Sequence, residues 1–249
     1  MEIFIDSKVL DWGVKKFTYE EQDDTWMKCY SYLDHAERIF LLSDNHHFNS
    51  DVISNLKKAV DHRIKLISKI YNIKQLSKII GVKGTFEVLA DLGVIRKLMI
   101  GKLIEIRNSI EHQFIDAPDM ERCEEYIEFV WYFLKSTDSL VKEVQSDFYF
   151  DSCNSKRYSV EVTPKINEKW LIEFSGWLPK EMYSETAQVG FFKIEVKDHS
   201  KGLDCRHNVG DDNDDYWEDL KDDDIFLKDA YVSDFGSVKK IIQVYFCDI

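Results

Sequence analysis

The sequence predicts an α+β protein, with an antiparallel helical bundle over residues 1–146 followed by a smaller β-rich domain over residues 147–249. Three observations lead there. Apolar residues recur at helical spacing up to about residue 146. Short runs rich in aromatic and β-branched residues follow. A hydrophobic fraction of 44% supplies a core, and 10 Gly and 3 Pro leave little room for long flexible linkers.

Each helix has its own markers. The first is expected over about residues 20–43, with Trp26, Tyr30, Leu33, Ile39 and Phe40 as apolar positions. Asp44-Asn45-His46-His47 reads as a loop. Asn49 or Ser50 caps a second helix through about Tyr71, with Val52, Leu56, Ala59, Ile64 and Ile67 inside. Lys57, Lys58, Arg63, Lys65 and Lys69 give that helix a basic, solvated face. Short helices are expected over residues 74–80 and 85–92, punctuated by Gly81, Gly84 and Gly93. The next runs over about residues 94–114, and Asp116-Ala117-Pro118 stops and restarts the chain. A long last helix then carries Tyr126, Ile127, Val130, Phe133, Leu134 and Leu140 to about Val144. The pattern leaves open whether residues 1–19 form a strand that joins the C-terminal sheet.

In the C-terminal part strands are expected over residues 158–163, 170–176, 191–196 and 240–247, with Trp170, Phe174, Trp177, Phe191 and Phe192 as β-core. The acidic segment 211–224 contains Asp211, Asp212, Asp214, Asp215, Glu218, Asp219, Asp222, Asp223 and Asp224 against Lys221 alone. Most of the net charge of −13 therefore belongs to the second domain. Such a balance argues against a broad nucleic-acid coat, since phosphate contacts dominate that kind of affinity. It leaves room for an enzyme that holds a few nucleotides in one cleft.

Five cysteines without a C-x-x-C pair form neither a disulfide framework nor a zinc pattern. A reducing, cytoplasmic setting is expected, with no signal peptide and no membrane span. No metal or cofactor is expected.

Residues 103–114 read L-I-E-I-R-N-S-I-E-H-Q-F. The string Arg107-Asn108-x-x-x-His112, set in a helical hairpin, an apolar helix, a proline turn and a long aromatic helix, resembles the R-N-x-x-x-H motif of the HEPN superfamily. The resemblance covers about residues 20–145. It implies a metal-independent endoribonuclease acting as a homodimer, with Arg107, Asn108 and His112 as catalytic residues and RNA as substrate. It also implies a toxin or antiviral-defence role, under restraint by a regulatory protein partner or by the second domain.

The residue types suit the chemistry. Histidine titrates near neutral pH and serves as base or acid. Arginine presents a charged fork that matches phosphate oxygens. Positions 107 and 112 differ by about 140° around one regular helix, so a single helix does not aim both at one atom. Two copies related by a two-fold axis would gather both pairs in one cleft.

Plainer readings stand beside this one. Arg107 and Glu111 are four apart and could form a surface ion pair. The fold could also serve as a non-catalytic RNA-binding or interaction module, with a ligand- or partner-binding β domain. Asp211-x-Asn213-x-Asp215 opens like a calcium loop, but Tyr216 stands where glycine is needed, and a solvated acidic loop is expected. His46 and His47 lack a nearby third ligand, and His35 and His62 read as packed core or boundary histidines.

Overall fold

Alternation at the very start of the chain decides its topology. In Glu2-Ile3-Phe4-Ile5-Asp6, Ile3 and Ile5 fall on one face of an extended chain and are buried, as a period of two requires. A computed structural model describes residues 2–20, 24–42, 48–108, 118–153, 157–201 and 221–246. The eight strands are β1 (Glu2–Asp6), β2 (Gly13–Glu20), β3 (Glu143–Asp151), β4 (Ser159–Lys165), β5 (Leu171–Leu178), β6 (Tyr183–Ser184), β7 (Phe191–Lys201) and β8 (Ile225–Val232). They form one sheet in the order β2-β3-β4-β5-β8-β7-β1-β6.

This corrects the expected fold class. The molecule is mixed helix and strand, but it does not begin with a helical bundle. It opens on β1 and β2, and β1 pairs antiparallel with both β7 and β6 of the C-terminal half. The β3–β4, β4–β5, β5–β8 and β7–β8 pairs are antiparallel as well. The chain divides into two compact units, one of residues 1–18 and 145–245, the other of residues 19–144 and 246–249.

The sheet unit buries Phe148, Phe150, Val160, Val162, Trp170, Ile172, Phe174, Ile194, Leu227 and Ala230. Trp170, Phe174, Trp177 and Phe192 are core, as expected, and Phe191 is half-buried. The strand expected over 240–247 is instead helix α8 (Phe235–Phe246). Its buried residues Ser237, Ile241 and Tyr245 recur every four positions, with Ile242 and Phe246 beside them, a helical period inside a run of β-branched and aromatic residues. Tyr245 stacks edge-on against Trp170 and Phe148.

The helical unit contains α1 (Lys28–Leu42), α2 (Asn49–Ile70), α3 (Ile73–Ile80), α4 (Thr85–Asp91), α5 (Lys97–Asn108), α6 (Met120–Ser136) and α7 (Asp138–Lys142). Helices α1, α2 and α6 pack on one another, and α5 packs on α2, α4 and α6. On α2 the buried stripe runs Val52, Leu56, Ala59, Val60, Arg63, Ile67. Arg63 thus belongs to the core, not to the solvated basic face expected of it, because it lies three and four residues beyond Val60 and Ala59. Lys58, Lys65 and Lys69 are exposed.

The Arg63 guanidinium donates to Asp138 Oδ1 at 2.8 Å, Cys29 Sγ at 3.2 Å, and Thr137 Oγ1 and the Leu134 carbonyl at 3.3 Å. Tyr30 donates to the other Asp138 oxygen at 2.7 Å. Burial first, and this hydrogen bond second, push the Tyr30 hydroxyl pKa up. One cation thereby ties α1, α2, α6 and α7 together.

Candidate functional site

The sequence-derived site begins at the C-terminal end of α5. Arg107 lies in the last turn and Asn108 is the last residue, exposed at the helix end. His112 and Glu111 lie outside the described residues, as do His46, His47 and residues 211–220 of the acidic segment. Helix α6 follows Pro118 with Asp119 as its cap, whose carboxylate accepts from the Arg122 backbone N–H at 2.8 Å. Asn49 Nδ2 donates to the Pro118 carbonyl at 2.6 Å, fixing the entry into α6 against the start of α2.

Behind the end of α5 stands a cluster that sequence reading missed. Arg122 donates through Nε to the Tyr126 hydroxyl at 3.0 Å, and through its two terminal nitrogens to Glu105 and Glu125. Tyr126, almost fully buried, donates its hydroxyl to Glu105. Lys102 reaches Glu125 at 2.8 Å and Glu105 at 3.8 Å. The Arg122 guanidinium also lies over the Tyr126 ring, 4.9 Å from its centroid. Burial works to raise the Glu105 carboxyl, but hydrogen bonds from Tyr126 and Arg122 outweigh it and hold the pKa below the ordinary range. Burial, and then the bond to Glu105, push the Tyr126 hydroxyl up to about 12.

Signals for this cluster were present. Lys102 and Glu105 are three apart, and Arg122 stands three and four before Glu125 and Tyr126, so each group shares a helix face. In the sequence Tyr126 reads only as an apolar marker. A cleft of about 430 Å³ opens beside the cluster, lined by Pro118, Asp119, Glu121, Arg122 and Glu125.

Other expected positions separate. His35 is exposed on α1, where its neighbours Leu33 and Ala36 take the buried face, so it is not a packed histidine. His62 is half-buried beside Tyr32, ring centroids 6.3 Å apart, and desolvation followed by repulsion from Lys28, Arg63 and Lys65 lowers its pKa.

Asp224 departs from the solvated acidic loop expected there. Fully buried, it accepts from the Tyr158 hydroxyl at 2.8 Å and from the backbone N–H groups of Lys221 at 2.9 Å and Lys180 at 3.2 Å. Asp222 and Asp223 are exposed. No described helix is long and apolar enough to cross a membrane. No family model, no curated protein and no solved structure matches the chain.

Proposed function

We propose that the helical unit is of HEPN type and that the protein is a metal-independent endoribonuclease using Arg107, Asn108 and His112. One observation carries this reading. The R-N-x-x-x-H string starts in the last turn of α5, which ends on the exposed Asn108.

In the proposed reaction the substrate's 2′-oxygen attacks the adjacent phosphorus and forms a bond to it. The phosphorus–O5′ bond breaks. A 2′,3′-cyclic phosphate and a free 5′-hydroxyl result. His112 takes the 2′-hydroxyl proton or delivers a proton to O5′, and the His112 of a second copy takes the other role. Arg107 neutralises the charge that builds on the phosphorus oxygens. Asn108 orients the phosphate or the imidazole. The active form is a homodimer, which supplies both histidines to one cleft.

A nuclease of this kind would act in the cytoplasm as a toxin or defence effector under restraint, supplied by the acidic segment 211–224 or by a regulatory protein partner. A partner-binding role for the sheet unit has its own support. Strand β2 ends the sheet and exposes Val14 and Phe17.

RNA cleavage in EDTA tests the reading. Wild-type protein is expected to cut, and Arg107→Ala and His112→Ala each to abolish cutting. Cleavage that survives both substitutions refutes it.

A further inference from the structure

The cluster behind α5 does more than a surface ion pair needs. Exposed pairs contribute little on their own and leave both partners mobile. Here the Glu105 carboxylate is held by two donors, and one of them is the hydroxyl of the buried Tyr126. Arg122 is held in turn by that hydroxyl, by the face of the same ring and by Glu125. A closed set of contacts anchored on a buried ring fixes a direction in a way that two flexible chains do not.

Glu105 lies one residue before buried Ile106 and two before Arg107. Position 107 is about 200° around the helix from Glu105, and Asn108 about 300°. Holding Glu105 and burying Ile106 sets the rotation and the height of the last turn of α5, the turn on which positions 107 and 108 stand.

We propose that Arg122, through Glu105 and Tyr126, is a positioning residue for the Arg107-Asn108 end of the nuclease site. This rests on the ribonuclease reading. Arg122 touches no substrate in this account. It holds α5 so that Arg107 meets the phosphate oxygens in line, and a loss of that alignment lowers the turnover rate more than the binding of RNA.

Cleavage kinetics on the full chain test it, with Arg122→Gln, Arg122→Lys and Glu105→Gln beside wild type. The expected result is a fall in kcat of about 10- to 100-fold for Arg122→Gln and Glu105→Gln, with KM within about twofold. Arg122→Lys keeps the charge but not the fork, and is expected to recover part of the loss. Hydrogen exchange of the amides of residues 104–108 is expected to quicken in Arg122→Gln.

Wild-type kcat in both Gln variants overturns the positioning role while leaving the ribonuclease standing. Loss confined to KM, or unchanged exchange at 104–108, overturns it as well. Absence of cleavage by the wild type, or its survival in Arg107→Ala and His112→Ala, fails the ribonuclease reading itself and takes the positioning role with it.

Discussion

Replacing Asp138 with alanine leaves the Arg63 guanidinium inside the helical unit without its anion. Arg63 is 0% exposed and Asp138 23% exposed. Breaking a buried pair by removing one partner typically costs about 3–5 kcal/mol, because the remaining charge has no water to turn to. Asp138 borders solvent, so some water enters the vacated space, and the low end, about 3 kcal/mol, applies. Arg63→Met is a different perturbation. It removes the fully buried charge together with its desolvation penalty, and the Asp138 left behind keeps the Tyr30 hydroxyl and its solvent edge. Its cost is about 1–2 kcal/mol. The double variant should resemble Arg63→Met alone, giving a coupling of about 3 kcal/mol.

Urea unfolding followed by helical circular dichroism measures all three. The order of the single variants is the signature. Asp138→Ala should be the more damaging, although its side chain is the more exposed. An Arg63→Met more destabilised than Asp138→Ala, or an Asp138→Ala within about 1 kcal/mol of wild type, refutes the reasoning.

Three further outcomes are expected. Gly176 has φ +141°, and a Cβ there would stand 2.1 Å from the Ser159 carbonyl oxygen. Gly176→Ala should therefore cost at least about 3 kcal/mol in the same unfolding measurement, and wild-type stability would contradict the β4–β5 packing. Asp224→Ala should cost about 3 kcal/mol by orphaning three donors, while Asp222→Ala stays within about 0.5 kcal/mol. Equal effects would return Asp224 to the solvated loop. The lowered pKa of His62 means that the unfolded chain binds a proton more readily. Its stabilising contribution is full above the unfolded value of about 6.5 and is lost as pH falls through the lower folded value. His62→Gln should flatten that part of a stability–pH curve, and an unchanged curve would show that the imidazole is not desolvated.

The helices were largely legible because a period of 3.6 survives interruption. The stripe on α2 contains Arg63: its residue type points to the surface and its position to the core, and position decides. Strands fared unevenly. In β4, β5 and β7 the aromatic and β-branched runs stood out. Strand β8 was hidden, since its buried residues Ile225 and Leu227 change phase to Ala230 and Val232. The change falls at Asp229, which has φ +50°, where the β5–β8 register shifts. That irregularity erases the alternation that marks a strand. In α8 the residue types pointed to strand and the spacing to helix, and spacing decided.

Charge count makes the acidic run one solvated block, because it says nothing about the donors awaiting a particular carboxylate. Asp224 met three. Similarly, the motif directed attention to Arg107, Asn108 and His112, whereas the cluster of Lys102, Glu105, Arg122, Glu125 and Tyr126 depends on two helices meeting. No spacing within one helix reports that meeting. Neutralising Asp211, Asp212, Asp214 and Asp215, with the Asp224 anchor left intact, tests restraint by the acidic segment: faster cleavage is expected, and an unchanged rate counts against it.

The most direct test of the central claim is the identity of the RNA product ends. Wild-type protein in EDTA is expected to leave a 2′,3′-cyclic phosphate and a 5′-hydroxyl, and to leave an all-2′-deoxy strand of the same sequence uncut. Products ending in a 5′-phosphate, or cleavage of the deoxy strand, would contradict attack by the substrate's own 2′-hydroxyl and the roles assigned to Arg107 and His112.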